Sequence, residues 1–289
     1  MVTHAVPLTV GLIGAGRVGA VVGAALRFAG HRVVATTATS TRSQARAARL
    51  LPDAAVLPAD EVTRAATDLL LIAVPDDALP GVAASIEKAG SQVVAHTSGA
   101  HGLSVLGDVN GLALHPAMTF TGEPADLDRL PGIAWGITAA DRAFATRLVA
   151  DLRGVPEWIA EDDRPLYHAG LAHGANHLVT LVNDAAGMLR AAGVERPEIV
   201  LRPLLEAALD NALRLGDTAL TGPVSRGDAG TVDKHVAHLP AEFVTPYLAL
   251  ARRTADRAIA AGRLPPQDAA QVLEVLARAG EGAAGEGVP

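Results

Sequence analysis

Leu8-Thr9-Val10-Gly11-Leu12-Ile13-Gly14-Ala15-Gly16-Arg17-Val18-Gly19 decides the fold, because an apolar run of strand length passes directly into three spaced glycines and then into an Ala-rich amphipathic segment. A strand, a tight turn and a helix in that order make the first unit of a parallel α/β sheet. In such a unit Gly14 permits the turn, Gly16 lets phosphate oxygens approach the backbone, and Gly19 lets helix and strand pack closely. The helix then offers its unpaired N–H groups and positive end to an anion. The stretch Gly14, Ala15, Gly16, Arg17, Val18, Gly19 therefore predicts a dinucleotide-binding loop.

Working outward, β-rich runs at 8–13, 32–37, 68–74, 92–96 and 111–115, with a weaker one near 54–57, alternate with helical segments at 17–29, 43–50, 60–66 and 77–88. Asp76 or Asp77, following Pro75, is expected to cap the last of these helices. Further strands at 132–138 and 155–159, around a helix at 139–152, extend the same sheet. Beyond them the β-pattern stops. A long Ala/Leu helix is predicted from about 162 to 192, then helices at 196–215, 232–238, 242–262 and 266–279. The expected organisation is a Rossmann-like, mainly parallel sheet domain over 1–160, an all-α domain over 161–280 and a flexible tail over 281–289.

Composition narrows the chemistry. Of 289 residues none is Cys, so thiolate catalysis, disulfides and cysteine metal sites are excluded. A formal charge of -7 gives no general pull toward nucleic acid or anionic membranes, and no apolar run reaches bilayer length. Met1 to Pro7 lacks a secretory-type segment, so a cytoplasmic location is the expectation.

NAD sites usually end the second strand with an acid that binds the adenosine ribose. Residues 33–43 contain no acid; Thr37, Arg42 and Ser43 supply hydroxyls and a guanidinium, which suit a ribose carrying a 2′-phosphate, and NADP is the cofactor predicted. Val74 and Pro75 end the fourth strand, where it should pass the crevice. His96-Thr97-Ser98-Gly99 and His115-Pro116 leave two later strands at the same carboxyl edge, so Thr97, Ser98 and His115 are candidate substrate contacts, with loop satisfaction the competing role.

On the long helix His168, Ala172, Asn176 and Thr180 recur every four residues and form one stripe, which makes His168 and Asn176 candidates to flank a small ligand. Tyr167, Leu171, Leu178 and Leu181 read as core anchors. His173 and His177 lack the glutamate of a zinc-protease helix, and no metal site is predicted. In the polar loop 221–231, Arg226 and Asp228 are candidate clamps for an anionic substrate, Asp228 orienting Arg226 or His235, and Thr231 is a candidate cap.

As a whole the pattern resembles an uncharacterised bacterial family that joins an N-terminal Rossmann-like domain to a helical C-terminal domain of unknown function. The matching landmarks are Gly14 to Gly19, His96 to Gly99, His115 to Phe120, the His168/Asn176 helix and Gly222 to Asp228. That family looks like a relative of pyrroline-5-carboxylate reductase, ketopantoate reductase, prephenate dehydrogenase and β-hydroxyacid dehydrogenases. The resemblance implies two-electron NADP chemistry on a small carboxylate-bearing carbonyl, imine or alcohol, and a homodimer formed through the helical domain. It also marks a departure, because Ala172 stands where β-hydroxyacid dehydrogenases and ketopantoate reductases carry a lysine four residues before Asn176. His168 or His173 would then take over proton transfer, with Ser98, His115 and Asn176 completing the catalytic set. A non-catalytic NADP-binding sensor or complex component and a reductase using a deazaflavin are the alternatives.

Overall fold

Val10 to Ile13 and the run Leu69-Leu70-Leu71-Ile72 are buried throughout, which is why the sequence shows continuous apolar runs where strands covered on both faces are needed. A computed structural model describes residues 6–87 and 92–285. It contains an eight-stranded sheet in the order β3-β2-β1-β4-β5-β6-β7-β8. The strands are β1 (Thr9–Ile13), β2 (Arg32–Thr36), β3 (Ala55–Val56), β4 (Leu69–Ile72), β5 (Val93–His96), β6 (Asn110–Pro116), β7 (Ala134–Ala139) and β8 (Val155–Trp158). Among the described residues only the β6–β7 pairing is antiparallel. The crossovers carry α1 (Arg17–Phe28), α2 (Thr41–Leu50), α3 (Ala59–Ala65), α4 (Leu79–Ser85) and α5 (Arg142–Asp151). One core includes Leu12, Val22, Leu112 and Trp135, and a second includes Ile13, Leu70, Val94 and Leu106.

The topology reverses between β1 and β4, so the carboxyl ends of these two strands open a crevice beside the glycine turn. Among the described residues no side-chain cap appears at the 3₁₀ turn Asp76–Ala78 or at α4, in contrast to the role expected of Asp76 or Asp77. Residue 88, the end predicted for that helix, lies outside the described residues.

The chain divides into two compact units, Met1–Ala175 and Asn176–Pro289. Helix α6 (Arg164–Leu171), which the sequence places in the helical domain, belongs with the sheet, because Arg164 and Tyr167 reach into its strands and loops. The long helix is also interrupted. A π-helical turn, Ala172–Asn176, separates α6 from α7 (His177–Ala191), and its wider winding breaks the four-residue period expected to align His168 through Thr180.

The second unit comprises α7, α8 (Pro197–Leu215), α9 (Pro223–Arg226), α10 (Ala229–His238), α11 (Ala241–Ala260) and α12 (Pro266–Gly285). Val232, Leu248, Ala255, Val272 and Leu276 form its core. Helix α12 continues past the expected start of a tail at 281, and 286–289 lie outside the described residues. Leu178 and Leu181, read from sequence as core anchors, are exposed within this unit, as are Ile199, Val200, Leu204, Leu209 and Leu213 of α8.

Candidate functional site

Gly14 has φ +104°, a backbone state that favours glycine, and a Cβ there would collide with the Ala73 carbonyl. At Gly19 a Cβ would overlap the Gly14 carbonyl oxygen and lie 2.8 Å from Ala73 Cβ. At Gly16 it would meet nothing within 4 Å among the described residues. Two glycines thus close the turn and the third leaves open space at the start of α1, whose first turn has no side-chain cap. That geometry fits a pyrophosphate: the space is free and the donors are backbone N–H groups.

Thr37 fastens the loop, its hydroxyl accepting from Gly14 N at 2.9 Å and its carbonyl accepting from Ala15 N at 3.0 Å. The adjoining crevice, about 620 Å³, is lined by Gly14, Ala15, Gly16, Thr37, Val74 and Pro75 among others. Arg17 is exposed, and Val18 packs against the sheet core. Ser43 also lines the crevice, but its hydroxyl forms a capping box with Ser40. Arg42 is exposed on α2. The cation lining the crevice is Arg46, one turn farther along α2, which the sequence reading passed over. The four-residue spacing from Arg42 was the available signal.

A second polar group gathers at the carboxyl ends of β5 and β6. His96 is fully buried; its Nε2 lies 2.9 Å from the Gly102 carbonyl and its Nδ1 accepts from Ser98 N at 3.2 Å. Burial pushes its pKa down to about 4, so it is a neutral loop brace. Ser98 is likewise engaged in the loop, its hydroxyl accepting from Ala100 N and His101 N at 3.2 and 3.1 Å. Thr97 is buried beside it.

Arg164 organises this loop. It is fully buried and donates to the Ser98 carbonyl at 2.7 Å, to Thr138 Oγ1 at 3.0 Å and to the Gly136 carbonyl at 3.5 Å. Its Nε has no partner among the described residues. Just before α6, Glu161 accepts from Leu103 N at 2.7 Å and Ser104 N at 3.0 Å. Burial works to raise the Glu161 pKa, but the Ser104 and Leu103 hydrogen bonds outweigh it and hold the carboxyl below its usual range.

His115 pairs with Gly136 across β6 and β7, and the missing side chain at Gly136 makes room for Tyr167. Tyr167 Oη lies 2.9 Å from His115 Nδ1, with the rings edge to face. Burial, then the Arg164 charge, then His168, lower the His115 pKa to about 4, with Asp76 opposing them. The His168 ring lies 6.2 Å from that of His115, centroid to centroid. Gly99 faces both: a Cβ there would be 2.7 Å from His168 Cδ2 and 3.1 Å from His115 Nε2. The structure therefore brings together His115, His168 and the Thr97-Ser98-Gly99 exit. Tyr167, Arg164 and Glu161 join them without having been singled out as site residues.

Asn176, Arg226 and Asp228 lie in the second unit, all three exposed within it. Asp228 caps α10, accepting from Thr231 N at 3.0 Å and Thr231 Oγ1 at 2.7 Å, so the cap comes from Asp228 and not from Thr231. His235 bonds Tyr247 instead of Asp228, at 2.9 Å. Among the described residues no cluster of acids and histidines is arranged to hold a metal ion, and no helix is long and apolar enough to cross a membrane.

Residues 3–116 match the family described as a Rossmann-like domain, and residues 133–254 match a domain of unknown function, DUF2520. The second match begins within the sheet at β7 and runs into α11. The crystal structure of the "putative NADP oxidoreductase BF3122" from Bacteroides fragilis is similar at 22% identity and a TM-score of 0.71, over 86% of this chain and 98% of its own. Protein TM1727 from Thermotoga maritima is similar at 18% identity and a TM-score of 0.67, over 87% and 99%. A 1-pyrroline-5-carboxylate reductase from Streptococcus pyogenes is similar at 17% identity and a TM-score of 0.60, over 87% and 98%. At these identities the likeness is one of fold. No curated protein matches the chain.

Proposed function

The chain combines a Rossmann-like domain with the helical domain of an uncharacterised family, and from that premise we propose that it is an NADP-dependent oxidoreductase. The reaction is hydride transfer to or from a small carboxylate-bearing carbonyl, imine or alcohol. The observation that carries the reading is the open space at Gly16, at the carboxyl edge of the same sheet that gathers His115, His168 and the Thr97-Ser98 exit. Gly14 to Gly19 would hold the pyrophosphate, Thr37 would brace the loop, Val74 and Pro75 would wall the crevice, and Arg42 with Arg46 and Ser43 would face the adenosine phosphate. When bound, the nicotinamide supplies or takes up the hydride.

The protein's own groups have separate tasks. Arg164 and Glu161 fix the loops, which lets the His115 and His168 rings keep their positions about Gly99. His115, neutral above about pH 4, polarises the substrate, and His168 donates or accepts the proton at its oxygen or nitrogen. The exposed Ile199, Val200, Leu204, Leu209 and Leu213 support a homodimer built on α8, and Leu213→Glu is expected to shift sedimentation toward a monomer.

The experiment is an NADPH-coupled screen of small oxo and hydroxy acids followed by His168→Ala. Turnover should fall at least about 100-fold while NADPH affinity holds. Unchanged turnover would remove His168 from catalysis. Ala172, in the place of the lysine of the resembled enzymes, favours a second reading, a non-catalytic NADP sensor. That reading predicts binding without turnover on every substrate.

A further inference from the structure

Tyr167 is a half-buried phenol on a helix, yet it does not lie among the apolar anchors; its hydroxyl is aimed at one ring nitrogen of His115. The approach required two features of the sheet. The β6–β7 register sets His115 opposite Gly136, and a Cβ at Gly136 would stand 2.5 Å from the phenolic oxygen. Only a glycine there admits the tyrosine. Tyr167 Oη has His115 Nδ1 as its one hydrogen-bond partner among the described residues. A phenol is a better donor than acceptor, and its O–H has here one lone pair in reach, that of Nδ1. With Nδ1 accepting, a neutral imidazole carries its proton on Nε2. That nitrogen lies beside Gly99, where the absent side chain lets the His115 and His168 rings close in on the backbone.

We infer that Tyr167 is a positioning residue that locks His115 as the Nε2–H tautomer, so that His115 presents a hydrogen-bond donor to the oxygen of a carbonyl substrate. This rests on the oxidoreductase reading and narrows its substrate class. A neutral N–H donor stabilises an oxygen on which negative charge grows during reduction. It offers nothing to an iminium nitrogen, which has no lone pair. The surroundings favour the same choice. Arg164 places a buried positive charge near His115; the Asp76 charge opposes it there but acts more weakly, and the hydrogen bonds of Arg164 go to two carbonyls and a hydroxyl, with Glu161 and Asp76 acting on it only through the field. A developing alkoxide gains from that field and a cationic imine loses.

The test is the ring-nitrogen spectrum of ¹⁵N-histidine-labelled full-length protein at pH 7, which needs no cofactor; the His115 signals are assigned by their loss in His115→Gln. The expected result is a neutral ring protonated at Nε2 in the wild type, and mixed tautomers in Tyr167→Phe. A ring protonated at Nδ1 in the wild type, or an unchanged tautomer in Tyr167→Phe, overturns the inference. In turnover, Tyr167→Phe should lower kcat about 10- to 100-fold on a carbonyl substrate, with KM and NADPH affinity within about threefold. Faster reduction of an imine than of the matching carbonyl by the wild type would also overturn it. Failure of the wild type to bind NADPH would instead refute the oxidoreductase reading, leaving the tautomer result to stand.

Discussion

Adding one methyl group to each of two glycines in the turn separates its two duties. Gly16 has φ −73° and ψ −166°, which alanine adopts, and its Cβ would enter open space. Gly16→Ala exchanges a slightly poorer N-cap for a less flexible unfolded chain. These opposing effects leave stability within about 1 kcal/mol of wild type. The methyl group would, however, occupy the space proposed for pyrophosphate oxygens, and NADPH affinity should fall at least about tenfold, or about 1.4 kcal/mol. Gly19→Ala behaves oppositely. Its Cβ overlaps the Gly14 carbonyl oxygen and crowds Ala73 Cβ at 2.8 Å, so it should cost about 1–3 kcal/mol or more in folding. Urea denaturation and fluorescence titration with NADPH read the two quantities separately. The reasoning fails if Gly16→Ala binds NADPH within twofold of wild type, or if Gly19→Ala unfolds at the wild-type midpoint.

Other expectations follow from the loop braces and the crevice. Arg164→Ala leaves the buried Ser98 and Gly136 carbonyls and Thr138 Oγ1 without their donor, and should destabilise by about 3–5 kcal/mol in denaturant titrations; a loss under about 1 kcal/mol would contradict its bracing role. His96 and His115 have folded pKa values of about 4. Unfolded, they take up protons near pH 6.5, so the unfolded chain binds more protons between these limits. Their contribution is complete above about pH 6.5 and is lost as the pH falls toward 4, at most about 3 kcal/mol for each ring. Urea midpoints that stay level from pH 7 to pH 5 would refute it. Arg42→Ala should weaken NADPH about tenfold and leave NADH unchanged. If that variant is silent and Arg46→Ala carries the loss, the phosphate contact belongs to the arginine lining the crevice.

What was legible from sequence were the features whose cause is local. Leu69 to Ile72 is a continuous apolar run because both faces of its strand are covered, and Gly14, Gly16 and Gly19 are spaced by the turn itself. Six of the eight strands fall within the segments marked in the sequence, and β6 and β7 run one residue past theirs. Long-range relations were hidden. Tyr167 reads as an apolar anchor on its helix, and only the register that sets His115, 52 residues before it, opposite Gly136 turns its hydroxyl to a purpose. Arg164 reads as an ordinary charge at a helix start, since nothing near it in the sequence announces the Ser98, Gly136 and Thr138 oxygens that bury it. Ser98 and Asp228 illustrate the converse. Both are polar residues in glycine-rich loops, and their side chains bond backbone N–H groups nearby. The π-helical turn escaped notice because its extra residue alters the period without altering composition.

The central claim is that the turn after β1 holds the pyrophosphate of a nicotinamide dinucleotide. Isothermal titration of the full-length chain with NADPH and NADH, repeated in the presence of inorganic pyrophosphate, tests it most directly. The account predicts one NADPH bound per chain, more tightly than NADH and displaced by pyrophosphate. No measurable binding of either dinucleotide would contradict it.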